Sequence, residues 1–371
     1  MTAHVHVTGW GKFVPPRVLT NDDLAEMVDT SDEWIRTRTG IIERRIASDG
    51  ETTFSMALHA ARQALEVAGL KPSQLDLVIV ATVTPDYTFP STACLVQDAL
   101  GAAHAAAFDL SAGCTGFIYG LSVAADLISA GTYENALVIG AETLSRIVDW
   151  SDRETCVLFG DGAGAVILQA NGANGGLLST VLGSDGSGGK LLYVPAGGSR
   201  EPASHRTVGE RLHYVKMRGR EVFRFAVRTM PAATRQVLGQ ANLTLSDLKL
   251  VIPHQANQRI IEASARSLKL PPETVFSNLE RYGNTSAASI PIALCEAVEE
   301  GLIEQDDLVV CVGFGAGLTW GAAALRWSMP LPPEPPSRGE RIWRELRYLY
   351  ATLRSLVRRF LRWLFARGIK E

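Results

Sequence analysis

Three stretches of this 371-residue chain occur twice. LDLVIVATV from Leu75 is matched by LKLVIPHQ from Leu248. Cys114, a following helical pattern and ALVIGAE are matched by Asn284, a helical pattern and LVVCVGF. FGDGAGAVIL from Phe159 is matched by GFGAGLTWGAAAL from Gly313. The shared order is strand, helix, strand, glycine turn, strand, with a period far longer than that of a solenoid. Such a chain is expected to fold as a duplicated α/β unit of two pseudo-equivalent halves, at residues 1–172 and 173–327. Halves of this kind gather the functional loops of both around one cleft.

Local patterns supply the elements. Helical spacing is expected over residues 51–68, 116–131, 258–268 and 286–301. Buried strands are expected over 75–83, 136–141, 248–253 and 308–312, and a glycine turn feeding a strand over 160–168. Residues 183–211, rich in glycine and without a period, read as a long exposed connection. GDGAGA from Gly160 has the form G-x-G-x-x-A, but it leads into a strand, AVILQ. A dinucleotide fingerprint must open a helix, so tight turns between neighbouring strands account better for these glycines.

With 46% hydrophobic and 20% charged residues, the chain is neither disordered nor fibrous. Its net charge of −3 argues against a nucleic-acid binder, yet the average hides a split. Residues 338–371 hold ten Lys and Arg against three Glu, a tail of +7, which leaves −10 for the rest. The five cysteines form no CxxC pair and are expected to be reduced thiols in a cytosolic protein. No signal peptide or run of 18 apolar residues is present. His4 and His6 share a strand face without a further ligand nearby, so no metal site is expected.

Candidate chemistry falls on three residues. Cys114 stands in SAGCTGF, between glycines that admit close approach and immediately before a long apolar helix. The helix N-terminus favours a thiolate there. A buried, inert thiol is the expectation for Cys94, Cys156 and Cys295, and stays open for Cys114 as well. His254, in VIPHQAN, follows a buried strand, where ligand-facing groups emerge from an α/β sheet. Asn284, in RYGNTSAAS, holds the position equivalent to Cys114 and by itself reads as an N-cap.

Seven motifs in a fixed order carry a family resemblance: DTSDEWIRTRTGI (29–41), FPSTAC (89–94), AGCTGF (112–117), FGDGAGA (159–165), PHQAN (253–257), GNTSAAS (283–289) and GFGAGLTWG (313–321). From about residue 5 to residue 327 the chain resembles β-ketoacyl-acyl carrier protein synthase III, the thiolase-fold enzymes that start bacterial fatty acid synthesis. The resemblance implies αβαβα layers and condensation of a short acyl-CoA, acetyl-CoA first among them, with malonyl-acyl carrier protein. It implies Cys114 as the acyl-carrying nucleophile and His254 and Asn284 as donors to the enolate formed on decarboxylation. It also implies an oxyanion hole from the backbone N–H groups of Cys114 and Ala316. Thiolases have GHP where GNT stands here, and elongating synthases have a second histidine at the place of Asn284. Plant-type polyketide synthases lack the DTSDEW start. Cys311, near the second catalytic cysteine of thiolases, therefore reads as a packed strand residue.

By the same resemblance Trp34 and Arg153 sandwich the adenine of CoA, Arg38 holds its phosphate end, and Thr30, Gly219 and Asn257 line the pantetheine tunnel. Arg220 departs from the small amide often found in the family's GNE run. Phe89 matches the aromatic that caps the acyl pocket across a homodimer interface, which implies a short primer. Arg224, Arg259 and Arg266 match positions that dock the acidic carrier protein, a pattern that solvated helix-face charges share. Acyl-CoA and malonyl-acyl carrier protein are substrates, and no cofactor is implied.

The family ends near Trp327. Residues 328–337 read as a stiff proline-rich spacer. Beyond it, over 341–367, Ile342, Leu346, Leu349, Leu353, Leu356, Phe360 and Leu364 make one helical stripe. Arg344, Arg347, Arg354, Arg358 and Arg362 lie off it, and Trp343, Tyr350 and Trp363 add amphipathic rings. A basic amphipathic helix over 338–371 suits an anionic membrane surface, with packing on the dimer or on another subunit as the alternative. The expectation is a cytoplasmic enzyme peripheral to the inner face of the membrane. Two further readings stand: a paralogue that condenses or transfers other acyl groups in a specialised lipid or polyketide pathway, and a catalytically idle scaffold. The complete Cys-His-Asn set speaks against the scaffold.

Overall fold

The computed structural model describes residues 4–171, 175–329 and 338–368. Its apolar runs build two sheets. The first contains β1 (His4–Phe13), β2 (Leu77–Ala81), β3 (Ala106–Leu110), β4 (Asn135–Thr143) and β5 (Asp161–Asn171), in the order β1-β5-β4-β2-β3. The second contains β6 (Gly176–Ser184), β7 (Leu250–Pro253), β8 (Leu308–Gly315) and β9 (Thr319–Arg326), in the order β7-β8-β9-β6. The sheets correspond strand for strand. β2 and β4 pair parallel, as do β7 and β8; β4 and β5 pair antiparallel, as do β8 and β9. The place of β3 is taken in the second sheet by one parallel bridge, Val251 with Val275. The repeats read from the sequence are this common strand order.

The principal helices are α1 (Asp32–Thr39), α2 (Thr53–Val67), α3 (Thr92–Leu100), α4 (Gly116–Ser129), α5 (Gly219–Gln240), α6 (Gln258–Leu268), α7 (Ser289–Glu299) and α8 (Arg338–Gly368). α4 and α7 lie between the sheets. Their Phe117, Ile118, Leu121, Ile290 and Leu294 fill that layer against strands from both sides. Each large apolar side chain so buried is worth about 1.5–3 kcal/mol over an exposed one. α2 and α3 cover the outer face of the first sheet, with Met56, Ala57, Ala60, Ala61 and Ala64 spaced three and four apart along α2. α5 and α6 cover the second sheet. The five layers are the thiolase-like αβαβα arrangement.

Several expectations need correction. The glycines from Gly160 do not serve tight turns: Asp161–Asn171 is one strand. A Cβ at Gly164 would sit 2.7 Å from the Pro291 backbone, so this glycine lets α7 lie directly on β5. The connection expected over 183–211 gives up its first residues to β6 and holds a short helix, His205–Gly209. α5 was not among the expected elements, because Pro231 interrupts its helical pattern. Its buried Val222, Phe225, Ala226, Met230, Ala233 and Val237 still keep the three-four spacing. Cys94 is exposed beside edge strand β3 rather than buried, whereas Cys156, Cys295 and Cys311 are buried.

α8 packs on α3 along one edge, and its large apolar residues are exposed. From residue 330 to 337 the expected proline spacer lies outside the described residues, as does the side chain of Arg344. Among the described residues, no helix is long and apolar enough to cross a membrane.

Candidate active site

The loops after β3, β7 and β8 and the segment that leads into α7 carry the candidate residues. After β3 the chain turns through Gly113–Thr115 into α4. Gly113 has φ +57°, and a Cβ there would sit 2.8 Å from the Ala316 nitrogen, so the loop after β8 abuts the turn that presents Cys114. Thr115 Oγ1 lies 2.7 Å from both Ala112 O and Thr319 Oγ1, and the Thr319 hydroxyl lies 3.0 Å from Ala316 O. These hydroxyls tie the two loops. Gly113, Cys114, Ser286 and Ala316 share a cavity of about 250 Å³ whose walls include Leu144, Ile147, Phe159 and Val215. The nucleophile candidate therefore faces an apolar space.

Burial dominates the ionisation of this site. It pushes the Cys114 thiol up to about 12, only partly offset by a hydrogen bond with Ser286. The thiolate expected from the helix N-terminus is thus not the resting form, because desolvation outweighs the helix-end field. Burial also pushes the His254 imidazole down to about 3, so the ring is neutral. His254 Nδ1 lies 2.6 Å from Ser289 Oγ, and its Nε2 is buried without a protein partner. A hydroxyl can donate or accept, so Ser289 can donate to Nδ1 and leave Nε2–H of the neutral ring as a hydrogen-bond donor.

Asn284 is held by backbone bonds to the first half: its N–H donates to Leu158 O (2.8 Å), and its carbonyl accepts from Gly160 N (3.0 Å). Its side-chain Oδ1 accepts from Ser286 N at 2.9 Å. The N-cap expectation is not met: Thr285 and Ala288 hold the cap positions of the turn Ser286–Ala288 and of α7, neither through its side chain, and Asn284 lies ahead of both. With Oδ1 committed to the backbone, the amide NH₂ is oriented as a donor.

Glu142 was missed from sequence. It closes the apolar strand β4 and is fully buried. Its Oε2 accepts from Thr82 Oγ1 (3.1 Å), Thr84 Oγ1 (2.6 Å) and Val83 N (3.1 Å), while Oε1 accepts from Ser286 Oγ (3.1 Å). Burial pushes its carboxyl up to about 7. Ser286 thus connects a carboxyl poised near neutrality with the Cys114 thiol. The available signal was a single acid at the end of ALVIGAE.

The family model described as 3-Oxoacyl-[acyl-carrier-protein (ACP)] synthase III matches residues 108–186, and the model of that family's C terminal matches residues 238–327. A β-ketoacyl-[acyl-carrier-protein] synthase III of Symbiobacterium thermophilum is 61% identical over 323 residues, covering 87% of this chain and 98% of its own. One of Caldanaerobacter subterraneus subsp. tengcongensis is 58% identical over 322 residues, covering 87% and 97%. The chain belongs to the synthase III family. The crystal structure of the Aquifex aeolicus synthase III agrees, with a TM-score of 0.81 at 51% identity over 87% of this chain and 100% of that one. Synthase III proteins are condensing acyltransferases of fatty acid biosynthesis. Residues 328–371 lie beyond the family models.

The other residues expected of a synthase III fall into separate groups. Trp34 on α1 carries the Arg153 guanidinium 5.0 Å and the Arg38 guanidinium 5.3 Å from its ring centre. The Arg153 spacing is shorter than the roughly 7 Å, two van der Waals spacings, that a ring inserted between Trp34 and Arg153 would take. Arg153 is meanwhile tethered to Asp29 O at 2.8 Å. The Thr30 hydroxyl is buried without a partner. Asn257 caps α6 through Arg259 N and donates to Arg38 O at 3.0 Å, binding α6 to α1. Gly219 is exposed at the start of α5. Phe89 is 84% exposed and does not line the cavity of its own chain. Arg224 on α5 and Arg259 and Arg266 on α6 are exposed, Arg266 beside Glu262 at 3.6 Å. Cys311 is packed within β8 as expected, and burial pushes its thiol up to about 12.

Proposed function

We propose that the protein condenses a short acyl-CoA, acetyl-CoA first, with malonyl-acyl carrier protein to start fatty acid chains. In the first half-reaction the Cys114 sulfur attacks the acyl-CoA thioester, the bond to the CoA sulfur breaks, and the thiol proton ends on the departing CoA thiol. In the second half-reaction malonyl-acyl carrier protein loses carbon dioxide, and the electron pair stays as an enolate on the carrier thioester. His254 and Asn284 donate hydrogen bonds to that oxygen. The enolate carbon attacks the acyl-Cys114 carbonyl, whose oxyanion meets the N–H groups of Cys114 and Ala316. Collapse expels the Cys114 sulfur, which recovers a proton, and releases 3-oxoacyl-acyl carrier protein.

The observation that carries this reading is the joining of Cys114, Ser286 and Ala316 in one apolar cavity, with Asn284 bridged to the cavity-wall residue Phe159. Trp34, Arg38 and Arg153 bind the nucleotide end of CoA, with Thr30, Gly219 and Asn257 along the pantetheine arm. Arg224, Arg259 and Arg266 steer the acidic carrier protein. A second copy covers Phe89, Tyr87 and edge strand β3, all of which expose apolar side chains in the single chain. The enzyme acts in the cytoplasm, with residues 341–367 along an anionic membrane surface. The proline-rich segment 328–337 links that tail to two catalytic halves, 1–172 and 173–327.

The test separates the half-reactions. In Asn284→Ala, carbon dioxide release from malonyl-acyl carrier protein is expected to fall roughly 10²–10³-fold while acylation by acetyl-CoA persists. Unchanged carbon dioxide release in that variant overturns the assignment.

A further inference from the structure

α8 is about 46 Å long at 1.5 Å per residue, and one narrow edge holds it to the body. Along that edge the Arg62 guanidinium lies 4.3 Å from the Tyr348 ring centre, Ala351 rests on Gly101, Ser355 Oγ donates to Asp98 Oδ2 at 2.5 Å, and Arg359 lies 3.5 Å from Asp98. Ala351 and Ser355 are buried there. Ile342, Leu346, Leu349, Leu353, Leu356, Phe360 and Leu364 are instead 44–58% exposed. At about 100° per residue, the centre of this stripe lies roughly 150° around the helix from the docking edge. The helix meets the protein with its polar edge and turns its apolar side away.

Beneath it runs a groove of about 410 Å³ between α8 and the end of α3. Lys71, Arg347, Arg354 and Arg358 line it, and the one acid in its wall, Asp98, is engaged by Ser355 and Arg359. Cations beside an outward apolar stripe, with Trp343, Tyr350 and Trp363 exposed as well, match an anionic phospholipid surface. A second copy of the helix fits less well, because it would cover the stripe and leave the groove cations without an anionic counterpart.

The geometry points to α8 as an interfacial clamp. Its stripe enters the acyl boundary of an anionic leaflet while the Lys71–Arg347–Arg354–Arg358 groove takes lipid headgroup phosphate. This rests on the membrane reading above and adds which face and which groove act. The probes are vesicles of phosphatidylglycerol mixed with phosphatidylcholine and vesicles of phosphatidylcholine alone, in co-flotation with the full chain. The full chain is expected to float with the anionic vesicles, Leu353→Glu/Phe360→Glu to lose at least tenfold in partitioning, and Arg354→Gln/Arg358→Gln to lose the preference for anionic over neutral lipid. Unchanged Cys114 acylation without vesicles shows that each variant is folded. Equal flotation of the full chain and both variants overturns this clamp while leaving membrane binding standing. No flotation of the full chain overturns the membrane reading itself, and self-association abolished by Leu353→Glu/Phe360→Glu then assigns the stripe to a second copy.

Discussion

Replacing Glu142 by Gln perturbs the most heavily constrained charge near Cys114. The carboxyl is fully buried and is pushed from an ordinary 4.5 up to about 7. A raised folded-state value means that its contribution to stability is complete below pH 4.5 and is lost as pH rises through 7. The difference is worth about 3 kcal/mol at about 1.4 kcal/mol per unit. Gln keeps the hydrogen-bonded contacts: its amide oxygen can take the bonds from Thr82, Thr84 and Val83, and its NH₂ can donate to the Ser286 hydroxyl, which in the parent donates to Oε1. Urea unfolding at fixed protein concentration, at pH 4.5 and pH 8, is expected to show Glu142→Gln gaining about 3 kcal/mol on the parent between the two. Other buried acids such as Asp161 are common to both proteins and cancel. With Ser286 receiving a bond from the amide, its own proton turns to sulfur, so alkylation of Cys114 by iodoacetamide should speed up at pH 8. A stability gap that does not move with pH refutes the reasoning.

Other outcomes follow from single contacts. Gly113→Ala puts a Cβ 2.8 Å from the Ala316 nitrogen at φ +57°; the left-handed backbone alone costs roughly 1–2 kcal/mol, read as a lower urea midpoint, together with loss of acyl-enzyme formation. Trp34→Ala removes one face of the expected adenine stack, worth about 0.5–1.5 kcal/mol, so KM for acyl-CoA should rise roughly two- to tenfold with kcat kept. A fall in kcat at constant KM contradicts that role. Ser289→Ala removes the partner of His254 Nδ1, so carbon dioxide release should fall while acylation by acetyl-CoA persists; equal release in parent and variant contradicts that role.

The duplicated order was legible because both halves bury strands of similar composition, so LVIVA and LVVCV repeat one pattern. α5 was hidden because Pro231 disrupts a helix that only the second sheet below it stabilises. Cys114 stood out for its loop of small residues and His254 for its place at a strand's carboxyl end, whereas Asn284 gained a role only through the family resemblance. Glu142 did not, since an acid closing a strand gains meaning only when Thr82, Thr84 and Ser286 fold around it from separate segments. Local sequence also read Asn284 as an N-cap, whereas its Oδ1 accepts from Ser286 N ahead of helices that start at other residues. The glycines from Gly160 looked like turns because close approach of α7 is a tertiary fact. Cys94 looked buried because its neighbours are apolar, yet it lies beside an edge strand.

The most direct measurement is mass spectrometry of the intact protein and its peptides after mixing with acetyl-CoA, followed by addition of malonyl-acyl carrier protein. The account predicts one acetyl group, on the peptide that carries Cys114, which disappears as 3-oxobutanoyl-acyl carrier protein forms. An acetyl group on any other residue, or one on Cys114 that malonyl-acyl carrier protein does not remove, would contradict it.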